Sequence, residues 1–274
     1  MLGESQQTDR TWMDFSFYRC DWDTESSWTP SGDMPNEPEG RRAMILSHEH
    51  KFIYVKTYKT GSTSVEAALS AVCGPDDVIT EASEQLRGVR QKPAQNYRIE
   101  HPEKPGRPLW KRLLGRPERH YHPSVGYYEH MPAWRIRAYA GEEVWRSYFK
   151  FTFERNPWDR QVSWYHYKTK SKPADARPSF DTFNRDRRRA FVENWSLYTQ
   201  DDSVVLDFIG RYETLDADFA RVLETIGLAG KVSLPRENVS KGRSGSYRDF
   251  YTDASRLLVA DWYGPEIRHF DYAF

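Results

Sequence analysis

Short apolar runs alternate with amphipathic stretches along this chain. Residues 52–55 form an apolar run that breaks into a polar, Lys-bearing loop and then an amphipathic segment at 65–72, which reads as strand, tight loop, helix. The same order returns about a hundred residues later. Phe149, Phe151 and Phe153 mark a second strand closed by Arg155, and Pro157 opens the helix that follows. Between them, residues 132–140, with Trp134, Ile136 and Tyr139, predict a helix ending before Gly141, and 144–148 a further turn. Beyond them, a charged helix is predicted over 180–195, a strand over 204–209 and an amphipathic helix over 215–226. Strands alternating with helices predict an α/β fold of three layers, a mainly parallel central sheet flanked by helices, with ligands at the carboxyl ends of its strands.

Two stretches break the alternation. Residues 1–43, with Pro30, Gly32, Pro35 and Pro38, predict an irregular extension, and its Trp12, Phe15, Phe17, Tyr18, Trp22 and Trp28 predict that it covers a surface. Residues 75–128, rich in Pro, Gly, Lys and Arg, read as an acceptor-side insertion or lid within a single domain spanning 44–274. Arg185, Arg187, Arg188 and Arg189 read as a solvated face, with a docking surface for an anionic acceptor as the alternative.

Bulk properties narrow the class. The 274 residues suffice for one substantial core, and 40 basic residues balance 40 acidic ones, which argues against wholesale nucleic-acid binding. Cys20 and Cys73 are too few for a disulfide framework and have no metal-ligand spacing. No run of eighteen apolar residues occurs, so no membrane span is expected.

The chemistry gathers in the two loops. Lys59, Thr60, Gly61, Ser62, Thr63 and Ser64 lead into a helix, so N–H groups, hydroxyls and the positive helix end converge where an anion would sit. A Walker A loop would be G-x-x-x-x-G-K-(S/T); here the Lys precedes the Gly, which disfavours a nucleotide kinase or ATPase. Arg155 offers a planar fork for a second anion, and Ser163 follows about two helical turns later. Paired as a surface ion bridge, Arg155 would instead be bound to Glu154 or Asp159.

Taken together, residues 52–64 and 149–163 resemble the sulfotransferase superfamily, which uses 3′-phosphoadenosine 5′-phosphosulfate (PAPS) as donor, and most closely its carbohydrate-type and bacterial branches. The first is similar to the family's 5′-phosphosulfate loop, P-K-T-G-(G/S)-T-S, and the second to its 3′-phosphate motif, R-N-P-x-x-R-x-x-S. Tyr58 stands at the usual Pro position. Residues 208–215 and 247–251 also resemble family blocks, so the likeness runs from about Ile45 to Phe274.

The resemblance implies that Lys59 lies at the leaving oxygen, that Thr60 to Ser64 bind the 5′-phosphosulfate, and that Arg155 and Ser163 hold the 3′-phosphate that separates PAPS from ATP. Lys241 and Arg243 resemble a loop closing over that phosphate. Trp158 either flanks the adenine or packs in the core, and Tyr212 and Glu213 lie in a block supporting the donor site. Eight His residues could take an acceptor proton near neutral pH. His130 is the candidate, from its place before the helix that feeds the Arg155 strand; Glu129 and His122 come next.

The resemblance implies a P-loop-like α/β domain, and the expectation is a soluble, cytoplasmic, metal-independent enzyme of bacterial type, or one trimmed of an anchor, releasing adenosine 3′,5′-bisphosphate and sulfating a hydroxyl of a saccharide or other small metabolite. The rivals are a catalytically silent nucleotide-binding scaffold of the same fold and an ATP-dependent phosphotransferase. The acceptor's identity and the oligomeric state are not predicted.

Overall fold

The computed structural model describes residues 44–81, 90–98, 126–235 and 245–274. In chain order its strands are β1 (Ile45–Ser47), β2 (Phe52–Tyr54), β3 (Val78–Ile79), β4 (Phe149–Glu154), β5 (Thr199–Gln200), β6 (Ser203–Val204) and β7 (Phe208–Arg211). Five of them form the central sheet in the order β3-β1-β2-β4-β7. Strand β1 is antiparallel to both its neighbours, whereas β2, β4 and β7 pair in parallel. Only β1 is reversed, which leaves the sheet mainly parallel, as predicted.

The principal helices are α1 (Ser62–Ser70), α2 (Ala133–Ala140), α3 (Glu142–Ser147), α4 (Pro157–Thr169), α5 (Phe180–Arg185), α6 (Arg187–Ala190), α7 (Trp195–Tyr198), α8 (Leu215–Thr225), α9 (Asp253–Trp262) and α10 (Gly264–Phe270). Side chains alternate across a strand, so β2 feeds two cores at once. Phe52 and Tyr54 pack with Phe151 and Phe153 against Val65 and Leu69 of α1 and Phe219 and Val222 of α8. Ile53 and Val55 face the other way, onto Ile136 of α2, Trp145 of α3 and Phe270 of α10. The helices thus form a layer on each face. A third core joins Trp158, Val162 and Tyr165 of α4 to Phe180 and Phe183 of α5 and to Val259 and Trp262 of α9.

The charged helix predicted over 180–195 is broken. Asp186, at φ −96° and ψ 85°, ends α5, and α6 restarts at once. The cause is Gln161 on α4, whose amide nitrogen donates to Asn184 Oδ1 at 2.8 Å and to the Ala190 carbonyl at 2.9 Å, so the chain bends to bring both acceptors to one donor. Arg185, Arg187, Arg188 and Arg189 lie exposed around the bend, with Arg189 paired to Asp186, in keeping with a solvated face. The strand predicted over 204–209 is also divided. Residues 203–204 close a hairpin with β5, and β7 begins at Phe208, set in register by Asp207, whose carboxylate accepts from Lys150 N at 2.8 Å and whose N–H donates to Lys150 O at 2.9 Å.

Within the segment read as an insertion, Val78–Ile79 is a sheet strand, and Ile79 also bridges to Gln95. Residues 1–43, Lys241, Arg243, His101, His120 and His122 lie outside the described residues. Among the described residues no helix is long and apolar enough to cross a membrane.

Candidate active site

Because β2 and β4 are parallel neighbours, the loops leaving their carboxyl ends emerge side by side. Thr57 staples them: its hydroxyl donates to the Phe153 carbonyl at 2.5 Å and lies 2.8 Å from Thr60 Oγ1. The Thr60 hydroxyl is therefore turned inward and fully buried, so of the two donors predicted for Thr60 its side chain is engaged by the protein. Asn194, buried before α7, grips the Tyr58 backbone from both sides, accepting from its N–H at 2.8 Å and donating to its carbonyl at 3.2 Å.

Lys59 follows in the left-handed region at φ 60°, and Gly61 caps α1 at φ 76°. A Cβ on Gly61 would lie 2.9 Å from Leu215 and 3.2 Å from the Tyr212 ring, so the position requires glycine twice over. Ser64 N and Val65 N are the first to bond back to the Gly61 carbonyl, so Ser62 and Thr63 precede the helix's own ladder and carry its open N–H groups.

The second loop is built by Asn156, whose side-chain oxygen accepts from Trp158 N at 3.1 Å, with Pro157 at the first helical position. This turn aims Arg155 back at the first loop. Its guanidinium donates to the Lys59 carbonyl at 3.2 Å, pairs with Asp159 at 2.6 Å and lies 4.1 Å from the centre of the Tyr212 ring. The ion pair anticipated for an Arg without a ligand is present, but it belongs to a buried side chain that also binds the Lys59 loop. Ser163 stands one helical turn beyond Asp159 on the same face of α4. Glu213 supports the turn by accepting from Asn156 N at 2.7 Å.

Trp158 is a core residue: it is buried, donates to the Arg256 carbonyl at 3.0 Å and packs edge-on against Phe274. Of the described His residues, His48 and His50 sit in the turn at the opposite end of β2, bound to Tyr148 and the Val72 carbonyl. His269 lies against Trp195 and His166 against Phe250. His130 alone among them meets the Lys59 loop. Its ring stacks on Tyr58 at 3.4 Å and 14°, and Nδ1 lies 2.9 Å from the Lys56 carbonyl. A carbonyl only accepts, so Nδ1 carries hydrogen and the proton-accepting nitrogen is Nε2, 3.6 Å from Glu129 Oε1.

A model of the sulfotransferase family matches residues 42–273. The chain belongs to the sulfotransferase family. An uncharacterized protein of Archaeoglobus fulgidus is 40% identical to it over 102 residues, spanning 36% of this chain and 83% of that protein.

In this sulfotransferase the Lys59 and Arg155 cations come together where the two loops meet. Burial, then the neighbouring Arg155 and Lys170, push the Lys59 ammonium down to about 8. Behind the loop, Lys56 is buried between Glu66, at 2.8 Å, and Glu129, and Glu66 also receives Arg90 at 3.2 Å. Those two carboxylates hold Lys56 above its ordinary value despite its burial. Beneath the second loop, Arg160 joins Glu154 at 2.6 Å to Glu266 at 2.7 Å, and Glu154 also accepts from Arg155 N and Asn194. Sequence reasoning missed Lys56, Asn194 and Arg160. Arg160 could have been found as the second Arg of the R-N-P-x-x-R-x-x-S match; nothing local marks the other two. Among the described residues no group of His, Cys, Asp and Glu is placed to hold a metal ion.

Proposed function

We propose that this sulfotransferase moves a sulfuryl group from PAPS to a hydroxyl of a saccharide or other small metabolite, leaving adenosine 3′,5′-bisphosphate. The observation that carries the reading is the Arg155 contact to the Lys59 carbonyl, which locks two cationic, donor-rich loops together as one surface. The residues suit a ligand with anions at two positions: an ammonium, a guanidinium fork, hydroxyls and the open N–H groups of α1.

In this reading Ser62, Thr63, Ser64 and the N–H groups beside Gly61 hold the 5′-phosphosulfate. Arg155 and Ser163 hold the 3′-phosphate, with Lys241 and Arg243 as further candidates. Lys59 stands at the departing oxygen and stabilises the charge that develops there. His130 Nε2 takes the acceptor's proton, the Lys56 carbonyl fixes the tautomer, and Glu129 stabilises the imidazolium that forms. In this reading residues 75–128, which run in sequence into Glu129 and His130, serve the acceptor.

Calorimetric titration with adenosine 3′,5′-bisphosphate and with ATP, in a chelator, tests the assignment. Tighter binding of the bisphosphate without Mg²⁺ is expected; tighter binding of ATP overturns it in favour of a phosphotransferase. Incubation with labelled PAPS and a fractionated extract of the host identifies the acceptor, and transfer to no fraction would favour a silent scaffold.

A further inference from the structure

The C-terminal half of α4 carries two aromatic residues, Trp164 and Tyr167, that reach the Lys59 loop and have no role in the reading above. The Lys59 ammonium lies 4.5 Å from the centre of the Tyr167 ring, and the Lys170 ammonium 4.7 Å from the same ring. Tyr167 stacks on Trp164 at 5.5 Å and 21°, and Trp164 meets Tyr58 edge-on at 5.9 Å. The ring is thus braced by its helix neighbour while 42% of the residue remains exposed. Two ammonium groups on one ring repel each other, and the Arg155 guanidinium adds a third cation whose carboxylate partner is Asp159. An aromatic face attracts cations without neutralising them, so it holds both while leaving their charge available to a ligand.

We propose that Tyr167 is a positioning residue of the transfer site: its ring seats the Lys59 ammonium next to Lys170, so that two cations together face the 5′ end of the donor. The inference rests on the donor reading given above. A carboxylate in place of the ring would hold Lys59 more strongly but would compete with the anion. The lowered proton affinity of Lys59, to which Lys170 contributes, agrees with two cations kept close without a counter-charge between them.

The test compares Tyr167→Leu, Tyr167→Phe and Lys170→Gln with the parent protein. Phe keeps the ring face and Leu removes it, and the exposure of the site makes both compatible with folding. The first readout needs no ligand. The Lys59 ε-methylene protons, located by NMR and assigned with Lys59→Arg, are expected upfield of ordinary lysine in the parent and in Tyr167→Phe, and at ordinary values in Tyr167→Leu. The second is affinity for adenosine 3′,5′-bisphosphate and for adenosine 3′-monophosphate, which lacks the 5′ group. Tyr167→Leu and Lys170→Gln are each expected to weaken the bisphosphate by about tenfold, to leave the 3′-monophosphate within about twofold, and Tyr167→Phe to restore the parent value. Unshifted ε-methylene protons in the parent, equal losses for both nucleotides, or Phe behaving as Leu overturns the positioning role. A parent protein that keeps the upfield protons but binds neither nucleotide overturns the donor reading instead.

Discussion

Arg155 donates to the backbone carbonyl of Lys59 across 3.2 Å, although the two residues belong to motifs about a hundred positions apart. One side chain therefore holds the loop that carries Lys59, and in the proposed function it presents its own charge to the donor as well.

Arg155→Ala is expected to weaken adenosine 3′,5′-bisphosphate by about 1.5–3 kcal/mol relative to 5′-AMP, and to lower turnover as well, because the Lys59 loop loses its brace. Arg155→Lys should recover little, since an ammonium cannot span Asp159 and the carbonyl as the fork does. Calorimetry with both nucleotides checks this. Equal parent affinities would remove the case for a 3′-phosphate site.

Lys59→Ala is expected to lower turnover on the order of 10²–10³ with the fold intact. Because Lys59 sits at φ 60°, Lys59→Gly should be equally inactive yet about 1 kcal/mol more stable than the Ala variant. Thermal unfolding of the pair separates backbone strain from lost charge, and near-parental turnover in either would refute the assignment.

Lys59 also predicts a proton signature. With its ammonium pushed down to about 8, the free protein loses that proton as pH rises past this value, and a polyanionic donor draws it back. Binding of the bisphosphate should take up about one proton at pH 9 and almost none at pH 6.5, with affinity falling above pH 8. Calorimetry in buffers of different ionisation heat measures the uptake; no uptake at pH 9 would mean that Lys59 does not face the ligand.

His130→Ala is expected to reduce turnover by roughly 10²–10⁴ and to remove an ionisation near neutrality from the rate profile, while bisphosphate affinity scarcely changes. If rate and profile persist, the base is elsewhere, and Glu129, whose carboxylate lies 3.6 Å from His130 Nε2, is the next residue to replace.

Lys56→Met should cost about 3–5 kcal/mol in urea unfolding, because it leaves Glu66 and Glu129 facing one another in the interior without the cation between them. Adding Glu66→Gln should return part of the loss. Unchanged stability in the single variant would show that the ion pairs contribute nothing.

The parts of this fold that could be read in the sequence are those whose cause is local. The apolar runs of β2 and β4, the Asn156-Pro157 start of α4 and the glycine at 61 each dictate their own conformation. The division of residues 180–195 was hidden because it depends on Gln161, more than twenty positions away. The same holds within the site. Lys59 and Arg155 were marked by their loops, whereas Asn194 reaches Tyr58 across 136 positions and Lys56 looks like one more polar residue until Glu66 and Glu129 close on it.

Tyr58 stands where the family pattern has proline, and the grip of Asn194 gives that difference a structural consequence. A proline there would have no N–H for Asn194 Oδ1, and no aromatic ring against His130. Tyr58→Pro would leave a buried amide oxygen without its donor and strip a face from the imidazole in a single step. Position 58 is thus tied to residues 136 and 72 positions further along the chain, and its side chain and its N–H are each spoken for. A change at this one loop position therefore reaches the buried carboxylate of Glu154 as well, because Asn194 holds both.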